Sequence, residues 1–385
     1  MRTHLHISLA ILACLPLLFS CLAVEIQSPE EGPEDREIRV STPLVSPSTK
    51  AVGGEIGINY DINESFGVYG LYYQSGSFTS WKTVPSGDSE YPDGSQIYID
   101  GAEFLYDALI DDTSSSTDPN GGSGAWSANP SYYWPKYGKL AFAAWSPYRA
   151  KDACSLSYAD DGFHFSDFTT SYDGSSHYDL MYSDRVVDKT ASVGTSAIYD
   201  GIDLQFHHIL SSVKFLSKAG SASTKIRVNK IVVYDIVRKA NFDMPSSWTI
   251  TSMPSTDPGY DTYYYTEAKP LVVYLDDTYT EENVLSTSTY KETGFVLPIP
   301  QDISSAKFKV YYSVQLGSAD PVPTVSSPIN LGGQTISSGE GVGTALNNWK
   351  KSTRYTYSLV LGLQQIKFNV SIDGWKDSSD KDISE

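Results

Sequence analysis

Residues 355–375, "YTYSLVLGLQQIKFNVSIDGW", decide the fold. Tyr355, Tyr357, Leu359, Leu361 and Leu363 share one parity, and Ile366, Phe368, Val370 and Ile372 share the other. A period of two belongs to a strand with one buried face, not to a helix. The parity switches at Gln364 and Gln365, which predicts a turn or bulge joining two strands. Upstream, "KFKVYYSVQL" (307–316) repeats the pattern, with Phe308, Val310, Tyr312, Val314 and Leu316 on one face. Further strands are expected at 67–73, 139–145, 204–210, 225–236 and 270–275. One short helix is expected at 104–109, where Phe104, Leu105, Ala108 and Leu109 cluster at helical spacing. The reading is all-β.

The rest of the composition agrees. Tyrosine is abundant, at 28 of 385 residues, which favours strands. The formal net charge of −18 argues against nucleic acid or anionic lipid as partners. Polar connectors such as "DDTSSSTDPNGGSG" (111–124) separate the strand patterns. The length suits two β-sandwiches in tandem, with a boundary near 195–205: one sandwich over 37–200 and a second over 201–385.

The first residues read as an export signal. Arg2 supplies a positive start, and 9–19 is almost entirely apolar but too short to span a bilayer, which takes about 20 apolar residues. The run ends in Leu18-Phe19-Ser20-Cys21, a lipobox, so residues 1–20 are expected to be removed and Cys21 to carry lipid at the outer membrane. Residues 21–36, containing "SPEEGPEDR", form an acidic, extended linker. Of the three cysteines, Cys14 leaves with the signal and Cys21 is lipidated, so Cys154 remains as a lone thiol without a disulfide partner.

Chemistry is sparse. His207 and His208 are adjacent on a strand and point to opposite faces, so they do not share one ion, and His208 reads as a packed histidine. His164 and His177 sit in polar loops without a partner at fixed spacing. Asp160-Asp161-Gly162 and Asp276-Asp277 read as solvated turns, since neither fits the twelve-residue calcium loop. The acids form no identifiable glycosidase pair, and no nucleophile elbow or phosphate-cradling loop occurs. The chain is read as a non-enzyme with no cofactor and no metal. Tyr263, Tyr264 and Tyr265, in "YDTYYYTEAKP", offer an aromatic surface for a glycan or a protein. Trp126 and the run from Tyr132 to Trp134 form a second aromatic group, with Trp134 read as core.

Three stretches, in this order, resemble Bacteroidales fimbrillin-like proteins, the subunits of type V pili. They are "YYWPKYGKLAFAAWSPY" (132–148), "LQFHHILSSVKF" (204–215) and the pair of strands ending in "VSIDGW". The lipoprotein leader fits as well. The resemblance implies two transthyretin-like β-sandwich domains, display at the cell surface and assembly with other pilus subunits by strand exchange. In that scheme a protease cuts after a basic residue, the first strand leaves, and an extended segment of a neighbour fills the groove. "REIRVSTPLV" (36–45) would be that first strand, within a removable segment 37–50, with Ile38, Val40, Leu44 and Val45 as its plugs. Lys50, Arg39 and Arg36 are the candidate cut sites. Lys50 matches the family position, where arginine is usual, so an arginine-specific protease would use Arg39 instead. The last ten residues, "KDSSDKDISE", are too polar to plug an apolar groove. A donated strand would therefore be the one carrying Ile366, Phe368, Val370 and Ile372, or the protein would be a terminal subunit, at tip or anchor. The alternative is a surface-lipoprotein or pilus-tip adhesin that binds host or bacterial glycans or proteins.

Overall fold

A computed structural model describes residues 37–40, 43–45, 58–59, 61, 63–108, 125–170, 178–190, 202–243, 247–249, 271–275, 281–363 and 365–375. Among them the chain is built from strands, with two short 3-10 turns, Tyr148–Asp152 and Glu281–Asn283.

The alternating stretches behave as their periodicity requires. Lys307–Leu316 is one strand, with Phe308, Val310, Tyr312 and Val314 buried. Leu316 is the exception: it lies at the strand's end, past the covering sheet, and is 54% exposed. Thr353–Leu361 and Ile366–Gly374 form an antiparallel hairpin, paired from Thr353–Gly374 to Leu361–Ile366. Leu363 belongs to its turn and is exposed.

The helix expected at 104–109 does not form. Residues Ser95–Asp107 are a single long strand. Its register against Phe66–Tyr73 shifts between Val68 and Gly70, where Val68 faces Ala102 and Gly70 faces Ile99. Gly101 sits in that bulge with φ of +66°, a conformation that suits glycine. The extra residue moves the inward side chains from the parity of Ile99 to that of Phe104. Phe104 is buried and Leu105 is exposed on the opposite face, so the two do not form one helical face.

Four main sheets organise the molecule. A nine-stranded sheet runs in the order Ile58–Asn59, Leu44–Val45, Gln205–His208, Met181–Ser183, Lys139–Ser146, Phe66–Tyr73, Ser95–Asp107 and Ala125–Ala128, with Val186–Lys189 also on Lys139–Ser146. It encloses a core around Phe66, Val68, Ile99, Phe104, Phe142 and Phe206. A six-stranded sheet centred on Ser212–Ala219 and the 353–374 hairpin faces a five-stranded sheet centred on Thr224–Tyr234 and Lys307–Leu316. Between these two lies the largest core, where the Phe215 ring stacks on Tyr357 at 5.2 Å and meets Phe308 at 5.4 Å.

The fourth sheet joins distant parts of the chain. Gly162–Thr169 pairs with Ser155–Ala159 and with Lys239–Asp243, which in turn pairs with Ser247–Thr249. Sheets therefore do not divide at residue 200: Gln205–His208 belongs to the first sheet, and 239–249 returns to strands of the first half. His164 lies on one of these strands rather than in a loop. Its Nδ1 meets Asp243 at 2.7 Å and its Nε2 meets Asp161 at 2.9 Å. The bonds to Asp243 and Asp161 raise the imidazole above its ordinary value of 6.5, because both ring nitrogens can donate only when it is protonated.

The two halves are fastened by residues 208–211. The His208 ring lies flat on Trp375, with centroids 3.8 Å apart, and its Nδ1 meets Asp179 at 2.8 Å. Ser211 N–H donates to the Pro298 carbonyl, its hydroxyl to the Lys350 carbonyl, and Ser352 N–H to the Leu210 carbonyl. Ile209 and Leu210 are fully buried in a third core with Trp145, Phe165, Phe242, Leu297, Ile299 and Trp375. His207, on the other face, turns to Asp184 at 3.1 Å and to the Tyr182 ring.

Two outcomes are expected. Trp375→Ala removes the ring that closes the third core and should cost about 3–5 kcal/mol in urea unfolding. His164 contributes most when protonated in the fold. The stability difference between wild type and His164→Gln is therefore full well below pH 6.5 and fades as pH rises through the elevated value. Unfolding curves across a pH series check the sign, and a difference that grows with pH contradicts it.

Candidate functional site

The nine-stranded sheet curls until its two ends approach the same short piece of chain, residues 37–45. At one end, Ile38 N–H donates to the Tyr132 carbonyl at 2.7 Å. Val40 and Trp126 exchange both backbone bonds, at 3.0 and 2.9 Å. At the other end, Leu44 N–H donates to the Leu204 carbonyl at 2.8 Å, and Leu44–Val45 runs parallel to Gln205–Phe206. The outer side of Leu44–Val45 carries Ile58–Asn59, antiparallel. The segment thus links the edge strand Ala125–Ala128 to Gln205–His208 and carries Ile58–Asn59 as the last strand beyond it.

Its side chains explain why it sits there. Ile38 and Val40 are wholly buried, Val45 nearly so, and Leu44 half-buried. Ile38, Val40 and Val45 enter the core that contains Phe66, Trp126, Trp134 and Phe206. Phe66 lies under the seam, its ring 6.2 Å from Trp126 on one side and 5.5 Å from Phe206 on the other. Each buried aliphatic side chain is worth roughly 1.5–3 kcal/mol. The polar positions alternate with these: Glu37 accepts from Arg39 Nε at 2.7 Å and from the Ser131 hydroxyl. Arg39 is shielded, its side chain only 14% exposed between two buried neighbours.

Backbone bonds, ion pair and packing hold the piece, and no disulfide does, since Cys154 is the one cysteine among the described residues and is free. Its Sγ–H donates to the Ala150 carbonyl, and burial pushes the thiol up to about 12, so it stays protonated and inert at neutral pH. Without the segment, the Trp126 N–H and carbonyl and the Tyr132 and Leu204 carbonyls lose their partners, over an apolar trough floored by Phe66.

The sequence does not single out the receiving side of this seam as a unit. Trp126 reads there only as an aromatic, and Phe66, Leu204 and Phe206 only as members of strand patterns. Their sole signal is strand parity. The strand carrying Ile366, Phe368, Val370 and Ile372 stands differently from a segment ready to swing out. Ile366–Gly374 is paired along its whole length with Thr353–Leu361, and over 370–372 it also pairs with Gln334–Gly339. Val370 is wholly buried, and the strand leads directly into Trp375. Cys21, Arg36, Lys50, Tyr263, Tyr264, Tyr265, His177 and Asp276-Asp277 lie outside the described residues.

The remaining chemistry is occupied by the fold itself. Asp160 accepts the Trp81 N–H at 2.8 Å, and Asp161 binds His164. Among the described residues no group of three or more His, Cys, Asp and Glu is placed to hold a metal ion. Trp134 packs on Phe142 with centroids 5.8 Å apart, while Tyr133 and Tyr137 are exposed.

Solved structures similar to this chain bear on its fold. A fimbrial protein from Bacteroides vulgatus is 16% identical, over 88% of this chain and 100% of that one, with a TM-score of 0.50. A Bacteroides uniformis protein named for cell adhesion is 13% identical, over 89% of this chain and 100% of that one, with a TM-score of 0.43. The tip fimbrial protein Mfa3 of Porphyromonas gingivalis, truncated at its C-terminus, is 7% identical, over 81% of this chain and 94% of that one, with a TM-score of 0.31. The fold likeness rests on the first. No curated protein matches the sequence. The sequence profile described as fimbrillin-like, by contrast, matches residues 88–375, three-quarters of the length and all but the first strands of the described fold. The chain belongs to the fimbrillin-like family.

Proposed function

We propose that the protein is a structural subunit of a surface fimbria, exported as a lipoprotein through Cys21, in which residues 37–45 are a placeholder for a strand of a neighbouring subunit. The single observation that carries this reading is the seam. Two sheet edges are satisfied by one short segment that no covalent cross-link holds in place. Once the segment is severed from the rest of the chain, only pairing and burial retain it.

The geometry argues against Arg39 as the cut site. A protease needs an extended, accessible stretch of backbone. Arg39 lies between Ile38 and Val40, whose N–H groups are bonded and whose side chains are buried. Cleavage on the far side of the segment, after Lys50 in "SPSTKAVGG", frees 37–45 whole and leaves the receiving edges intact. We therefore assign processing to Lys50 and a lysine-tolerant, trypsin-like protease.

An incoming strand has to bring what leaves: main-chain groups for Trp126, Tyr132 and Leu204, and apolar side chains at the positions of Ile38, Val40 and Val45. The receiving unit comprises residues 37–208 with Lys239–Asp243 laid against Gly162–Thr169, and the sheets built from 212–234 and 271–375 form the second unit. Strand 366–374 is a poor donor, because its release breaks both flanking ladders and the Trp375 stack.

Limited digestion of the folded precursor tests the reading. Intact mass should show loss of the leading segment with an end after Lys50, and light scattering should then show growing oligomers. Clipped protein that stays monomeric at high concentration overturns it. An excess of the peptide EIRVSTPLV, residues 37–45, should suppress that growth by refilling the trough. In the precursor, Ile38→Ala should lower unfolding stability by about 2 kcal/mol or more and speed loss of the clipped segment.

A further inference from the structure

The second core has an edge that carries an unusual sequence, "PVPTVSSPIN", residues 321–330. Val322–Val325 is the terminal strand of the five-stranded sheet, and among the described residues its outer side carries no further strand. It pairs antiparallel with Lys307–Leu316, Val314 facing Val322, Tyr312 facing Thr324 and Tyr311 facing Val325. Ile329–Asn330 continues the same edge opposite Phe308 and Lys307.

Ladder parity fixes which backbone groups face outward. Ser326 N–H donates to the Val310 carbonyl at 2.9 Å, so Val310 and Ser326 are a hydrogen-bonded pair. In an antiparallel ladder such pairs alternate. Tyr312–Thr324 and Val314–Val322 are then hydrogen-bonded too, with the groups of Val322, Thr324 and Ser326 turned inward. The residues whose backbone faces outward are 321, 323 and 325. Two of these are proline and have no N–H. A strand laid along this edge finds the carbonyls of Pro321, Pro323 and Val325 but a single donor, Val325.

The side chains make the same edge attractive. Leu316, Val322 and Val325 are 54%, 61% and 52% exposed. An exposed edge with valines on both faces is a template for pairing with a second molecule. Proline at outward-facing positions is the residue that removes this hazard without costing the inner ladder a bond.

We propose that Pro321 and Pro323 are specificity residues of assembly: they bar strand addition along Val322–Val325, so that an incoming strand completes a ladder only at the 37–45 seam. The second half of this statement rests on the strand-exchange reading. The first concerns the uncut protein alone and is tested separately from it.

The test uses the full uncut chain. P321T/P323T restores two outward N–H groups, and self-association measured by light scattering across a concentration series should rise about tenfold or more over the parent, as one or two added hydrogen bonds require. Adding V325K to the double variant should return it to the parent's behaviour, because a lysine on an edge opposes pairing. Should the double variant lose its fold by circular dichroism, P323T alone restores the central donor and is read in the same way. A folded variant as monomeric as the parent overturns the proposal, and so does association that V325K leaves unchanged. Clipped parent that fails to oligomerise counts against strand exchange and leaves the edge result to be judged on its own.

Discussion

A sheet that curls without closing has two edges, and each edge holds main-chain donors and acceptors that need partners. In this protein residues 37–45 meet that need at Trp126 and Tyr132 on one side and at Leu204 to Phe206 on the other, where Ile58–Asn59 lies outside them. Phe66 touches an aromatic ring from each edge directly beneath. The first core is therefore complete only when something extended lies in the seam. The chemical requirements on that occupant are general: backbone groups at the right spacing and apolar side chains at three positions.

The second half is built in the opposite sense. Its central strands, Thr224–Tyr234, Lys307–Leu316, Thr353–Leu361 and Ile366–Gly374, are long, and the last of them is paired on both sides near its end. The halves meet through 208–211, a strap whose backbone and hydroxyl groups bind 298, 350 and 352 while Ile209 and Leu210 fill the core between. Lys239–Asp243 reaches back to Gly162–Thr169 and reinforces the same junction. One unit is completed by a short segment laid across its seam, and the other by long strands paired with one another.

Much of this architecture is legible in the sequence, and the parts that are not share a cause. Long strands with one buried face announce themselves, as at 307–316 and 355–372. Ser95–Asp107 does not, because the bulge at Gly101 inverts its parity midway, from Ile99 inward before it to Phe104 inward after it. Leu44–Val45 and Ile58–Asn59 are two residues each, too short to show any period. The plugs Ile38, Val40 and Val45 are named in the sequence through the family resemblance, which marks the leading segment. Their sockets are not, since Trp126, Leu204 and Phe206 come together only through sheet topology. The ionic cluster around His164 is hidden for the same reason: Asp161 is local, but Asp243 arrives from 79 residues away.

The stack of His208 on Trp375 has a mechanical meaning. Trp375 immediately follows the last strand, so tension applied to the chain beyond it is met first by two rings in face-to-face contact and by the core around them, before any rung of the 366–374 ladder is strained. His208 in turn belongs to the strand that pairs with Leu44–Val45 through Gln205 and Phe206. The ring pair and the seam thus share one short strand, Gln205–His208, which Met181–Ser183 flanks on its other side.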